Sequence, residues 1–131
     1  MFITIFICLI ILLLIVGGWF ILHVSRRRPG QGVDSEGCAA GSCGDSVEIR
    51  LGFKNGTVAH SRHRTAGCAH SFMCLKAATE LAEGRTPEGL LDISAEQIEK
   101  SVGGLPPDHR HCADIAVAAL HAAAGNYLKK I

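Results

Sequence analysis

Val47-Glu48-Ile49-Arg50-Leu51-Gly52-Phe53, then Lys54, the dipeptide Asn55-Gly56 and the returning stretch Thr57 to Arg64, decide the fold. Apolar and polar residues alternate along both arms, as in a strand with one buried face. Asn-Gly between such arms favours a two-residue hairpin turn, because both central positions need positive φ. One antiparallel hairpin is therefore expected, with room for a third strand that the pattern does not locate.

On the C-terminal side the period changes from strand to helix. After Gly67-Cys68, the residues Cys74, Ala77, Ala78 and Leu81 recur at helical spacing up to about Glu83, and Gly84 is placed to stop the helix. Thr86-Pro87 opens a short helix, since proline suits the first helical position. Ser94 with Gln97 makes a capping box for a helix to about Val102, which Gly103-Gly104-Leu105-Pro106-Pro107 breaks. The last helix begins around His109 to Cys112 and carries Ile115, Ala116, Ala119, Leu120, Ala123 and Tyr127 on one face. A hairpin followed by helices gives an α+β domain, a small antiparallel sheet packed with helices.

On the N-terminal side, Phe2 to Val24 is apolar for 23 residues and contains no Asp, Glu, Lys or Arg. At roughly 1.5 Å per residue such a helix crosses the ~30 Å hydrocarbon layer. A cleaved signal peptide would show a positive n-region, a shorter apolar run and a small-residue cleavage site. A buried core helix would need more surrounding protein than 131 residues supply. The expectation is one transmembrane anchor over residues 1–25, spanning the membrane with residues 2–24. Arg26-Arg27-Arg28 bias that flank to the cytoplasm, so a single-pass protein of the cytoplasmic membrane is expected, with its domain inside the cell. Residues 26–37, Gly-rich and without period, read as basic flank and flexible linker, and 38–131 as the folded domain.

The chain has 13 Lys+Arg against 12 Asp+Glu, a balance that argues against a nucleic-acid partner. Beyond the span only Phe53, Phe72 and Tyr127 are aromatic, a lean core that a bound metal would help to hold. No Ser-His-Asp set, phosphate-cradling loop or carboxylate pair suggests an enzyme.

Six cysteines, at positions 8, 38, 43, 68, 74 and 112, lie in a chain whose inferred cytoplasmic address disfavours stable disulfides. Cys8 falls within the span, Cys74 on an inward helical stripe and Cys38 in loose Gly/Ala sequence. Cys43, Cys68 and Cys112 each stand where a loop becomes a strand or helix. Such junctions can turn thiolates toward one point, and a helix N-terminus lowers thiol pKa. With Asp45 and His111 beside them, a first shell of three sulfurs and one nitrogen or oxygen is possible. Spacing alone leaves a shared metal site and three separate structural cysteines both open. His60 and His63 fall on opposite faces of the returning strand, His70 and His109 flank the proposed site, and His121 belongs to the last helix.

Cys43-Gly44-Asp45 ahead of a strand, Thr65-Ala66-Gly67-Cys68-Ala69 ahead of a helix, and Gly103-Gly104-Leu105-Pro106-Pro107 leading to His111-Cys112 resemble the IscU and NifU N-terminal type of iron-sulfur cluster assembly scaffold. The likeness runs in order from about Ser42 to Lys130. It implies that Cys43, Asp45, Cys68, His111 and Cys112 surround a nascent [2Fe-2S] cluster or its iron. It further implies sulfur from a cysteine desulfurase, delivery to apo iron-sulfur acceptor proteins and a compact IscU/NifU-like α+β fold. The small-residue run after the second cysteine of that family reads His70-Ser71-Phe72-Met73-Cys74-Leu75 here, which makes His70 and Cys74, with Cys38, possible accessory ligands. The family's Leu-Pro-Pro-Val-Lys, recognised by Hsp70-type chaperones, reads Leu105-Pro106-Pro107-Asp108-His109. Leu105, Pro106 and Pro107 are thus the expected partner-binding residues, and chaperone use stays open. Two other readings remain beside the scaffold: a structural-zinc module, since Cys₃His also closes a tetrahedral zinc site, and a membrane-tethered [2Fe-2S] redox protein.

Overall fold

The computed structural model describes residues 1–26, 32–42 and 44–131. The chain divides into two compact units, Met1–Gln31 and Gly32–Ile131. The first is a single helix, α1 (Phe2–Arg26), whose stretch Phe2–His23 is long and apolar enough to cross a membrane and buries none of its side chains within the chain. Arg27, Arg28 and the first linker residues, Pro29 to Gln31, lie outside the described residues.

The second unit has two layers. The described sheet has the order β1 (Ser35–Ala40), β2 (Ser46–Lys54), β3 (Thr57–Thr65), antiparallel throughout. β2 and β3 are the expected hairpin, closed by Asn55 at φ 56° and Gly56 at φ 79°, both in the left-handed region that such a turn requires. A bulge at Gly52/Phe53 interrupts their register. Beyond it the Phe53 ring stacks on Tyr127 with centroids 3.8 Å apart.

β1 is the strand that alternation did not locate, and it takes in Ser35-Glu36-Gly37 from the stretch expected to be linker. Its sequence, SEGCAA, carries no apolar alternation because its inner face needs small residues. A Cβ at Gly37 would collide with the Ala119 carbonyl oxygen and the Ala123 amide nitrogen. Ser35, buried, donates its hydroxyl to the Ala123 carbonyl, and Asn126 Nδ2 donates to the Glu36 carbonyl at 2.9 Å. The strand is held by hydrogen bonds and close backbone approach, which hydrophobic periodicity does not report.

The helices are α2 (Ala69–Ala82), α3 (Pro87–Leu90), α4 (Ala95–Ser101) and α5 (His111–Leu128), with a 3₁₀ turn at Pro107–His109. Thr86 caps α3 by accepting from Gly89 N, and the expected capping box of Ser94 and Gln97 is complete. α2 packs on β3, α5 on β1 and β2, and the two helices pack on each other. Ile49 and Leu51 from the sheet share one core with Leu75 and Ala78 of α2 and with Ala116 and Leu120 of α5, all six without measurable solvent exposure. Leu81 and Tyr127, expected on the inner stripes, are half-buried at the core's margin. Alanine along α5 permits the close approach that Gly37 completes.

A paired substitution tests this packing. Gly37→Ala forces its methyl into helix backbone and should cost about 1–3 kcal/mol. Gly125→Ala, with open space at its Cβ, should be neutral or stabilise the helix by up to about 1 kcal/mol. Equilibrium urea unfolding measures both, and an unchanged midpoint for Gly37→Ala would contradict the close contact.

Candidate metal centre

Two helix starts and one strand start converge here. Cys68 is the residue that opens α2, and His111 and Cys112 are the first two residues of α5. Asp45 precedes β2 in a turn where Gly41 N–H donates to the Asp45 carbonyl at 2.8 Å. The neighbouring turn is fixed by Thr65, whose hydroxyl donates to the Ser46 carbonyl at 3.2 Å and accepts from Gly67 N–H at 2.9 Å. Gly67 is needed at that point: a Cβ there would lie 2.6 Å from Asp45 Oδ2 and 3.0 Å from Ser71 Oγ. Its missing side chain is the space that the carboxylate occupies.

Ser71 is the hub. Its hydroxyl donates to Asp45 Oδ2 at 2.7 Å and lies 3.4 Å from Cys112 Sγ and 3.7 Å from Cys68 Sγ. A serine has one proton to give. The short contact gives it to the carboxylate, and each sulfur that ionises competes with Asp45 for that same proton. Ser71 is buried, which keeps water from replacing it. Sequence reasoning passed over both Ser71 and Gly67. The available signal was the helical spacing of Ser71, three residues after Cys68 and so on its side of the helix.

The charges follow from these contacts. The Ser71 hydroxyl holds the Asp45 carboxyl below the ordinary carboxylate range. The Cys68 sulfur makes no capping hydrogen bond of normal length, yet the amide N–H groups of the first turn, that of Ser71 foremost, lower its pKa below the usual thiol value. Cys112 moves the other way, raised by burial. Cys74 is buried in the core and pushed up to about 11, by burial first and then by the charges of Cys112 and Cys68. It is a packed thiol.

The donor atoms of Asp45, His111 and Cys112 lie within 4.8 Å of one another, as do those of Cys68, His70 and His109. His111 Nε2 is 3.8 Å from Cys112 Sγ. Cys43, the remaining expected ligand, lies outside the described residues. A family model for the NifU-like N-terminal domain matches residues 27–131. The chain belongs to the NifU-like N-terminal domain family. The "Iron-sulfur cluster assembly scaffold protein IscU 1" of Archaeoglobus fulgidus is 32% identical over 108 residues, covering 82% of this chain and 69% of that protein. The corresponding IscU of Aquifex aeolicus is 30% identical over 112 residues, covering 82% of this chain and 71% of the relative. A crystal structure of a NifU-like N-terminal protein from Brucella abortus shares the fold with a TM-score of 0.58 at 17% identity, over 76% of this chain and 83% of that one.

The NifU-like domain sorts the other expected residues as follows. Cys38 is exposed on β1, paired with Glu48, and joins neither donor group. Leu105 is buried as an anchor of the loop ahead of α5, while Pro106 and Pro107 are exposed. His60 packs over Gly52 and His63 contacts Phe72 and Thr79 of α2, on opposite faces of β3 as alternation requires. His121 Nε2 lies 3.0 Å from the Ile93 carbonyl, a structural contact.

Ser71→Ala should raise the pKa of both Asp45 and Cys68. The stability that Asp45 contributes as an anion is present above the ordinary carboxylate range and is lost as pH falls through its lowered pKa. Mass-spectrometric alkylation against pH reads the thiols. Cys68 should react well before Cys74 in the parent, and its profile should move to higher pH in Ser71→Ala. A Cys68 profile indifferent to the hydroxyl would contradict the hub.

Proposed function

We propose that this NifU-like domain is a scaffold or carrier on which a labile [2Fe-2S] cluster is assembled and handed on, tethered to the cytoplasmic face of a membrane by α1. The observation that supports this most is the meeting of Asp45, Cys68 and Cys112 on one buried hydroxyl, with His111 alongside. Cys43 would complete the donor set. The names of its relatives, iron-sulfur cluster assembly scaffolds, point the same way.

Such a protein works by holding and releasing, and the donor chemistry suits that. Three thiolates with one carboxylate or imidazole bind iron less permanently than four thiolates. The cluster is cargo. A cysteine desulfurase would supply its sulfur and apo iron-sulfur proteins would take it. The backbone amides of Ser71 and His70 at the α2 start stabilise the Cys68 thiolate for iron, while the Ser71 hydroxyl keeps Asp45 ionised and aimed at the site. Binding displaces thiol protons to solvent, so affinity should rise with pH.

Asp45 tests the release. Its negative charge opposes that gathered by the sulfurs, so Asp45→Ala should lengthen the lifetime of the reconstituted cluster under chelator challenge and impair its transfer to an apo-acceptor. A wild-type cluster that is long-lived under chelator challenge and is shed faster by Asp45→Ala would favour a permanent redox centre. Topology has its own test: exposed Cys38 should resist a membrane-impermeant thiol reagent applied to intact cells, and efficient labelling would place the domain outside.

A further inference from the structure

Seven donor side chains are more than one tetrahedral ion can use, and those described fall into two groups. We propose that Cys68, His70 and His109 form a second binding site, for a single divalent transition-metal ion, beside the group of Asp45, His111 and Cys112. The two imidazoles lie face to face with centroids 4.0 Å apart and rings 15° from parallel. With the Cys68 sulfur, their donor atoms are all within 4.8 Å of one another. A tetrahedral ion with bonds of about 2.0–2.1 Å to nitrogen and about 2.3 Å to sulfur spaces its donors roughly 3.3–3.8 Å apart. A shift of about 1 Å or less in each side chain, with one imidazole turned out of the stack so that both ring planes contain the ion, closes that gap.

His109 also has an unmet requirement. Its Nδ1 is shielded from solvent and has no hydrogen-bond partner, a costly state for a ring nitrogen that a metal ion relieves. The backbone around it is fixed: His109 N–H donates to the Pro106 carbonyl at 2.9 Å, Leu105 anchors the preceding loop in the core, and Arg110 pairs with Glu99 at 3.5 Å. His70 stands on the first turn of α2 beside Cys68. Two imidazoles and one thiolate select borderline divalent ions such as Fe²⁺, Co²⁺ or Zn²⁺ over Mg²⁺ or Ca²⁺. With three protein donors the fourth position is left to water or an exchanging ligand. In a scaffold this is a waiting position for a metal ion before the cluster forms, because Cys68 is common to both donor sets and passes to the cluster as it grows. That role rests on the scaffold reading; the binding itself does not.

Co²⁺ alone, titrated anaerobically into the untagged full chain in detergent, is the probe. Visible absorption should report two equivalents in the wild type and one in His70→Gln/His109→Gln. Paramagnetically shifted imidazole N–H resonances supply a readout that needs no variant. Three histidines, His70, His109 and His111, should shift in the doubly loaded wild type. A stoichiometry that His70→Gln/His109→Gln leaves unchanged, or a single shifted histidine, overturns the second site. One equivalent in the wild type that vanishes in the double variant would uphold this site while removing the group on which the scaffold reading depends.

Discussion

The constraint on which the architecture depends is that α2 and α5 lie side by side on one sheet with their N-termini at the same end. That arrangement brings Cys68 and Cys112 to a common serine, and the start of α2 turns amide N–H groups toward the Cys68 sulfur and the Asp45 carboxylate. Helix N-termini favour negative charge, and here the charge is that of the proposed metal ligands. The packing that makes this possible is made of small residues. Gly37 and the alanines of α5 set the helix against β1, and Gly67 leaves the volume that the carboxylate fills.

Opposed effects act within a few ångströms. Cys68 is drawn toward the thiolate by amide N–H groups, whereas Cys112 is held toward the thiol by burial. On the proposed scaffold reading, metal would supply the driving force that deprotonates Cys112, and that cost would weaken the hold on the cargo.

The hairpin was legible because Val47 to Arg64 alternates and Asn55-Gly56 has one favoured conformation. The α4 capping box and the helix starts at Cys68 and His111 were legible for the same local reason. β1 was not, since SEGCAA is held by contacts with α5, some ninety residues away in sequence. Of the site, Asp45, Cys68, His111 and Cys112 could be named from their junctions and from family resemblance. Ser71 could not, because a serine inside a helix has many ordinary uses, and only the tertiary approach of Asp45 and Cys112 gives this one its role. Leu105 shows the converse: a motif position expected to meet a partner is buried beneath its own loop.

The central claim is that this domain carries a [2Fe-2S] cluster as cargo. Anaerobic reconstitution of the full chain with iron and sulfide, followed by Mössbauer spectroscopy and metal analysis, tests it most directly. The account predicts two antiferromagnetically coupled ferric ions per cluster and their loss to a chelator over the course of the experiment. A chain that takes up zinc and yields no iron chromophore would contradict it.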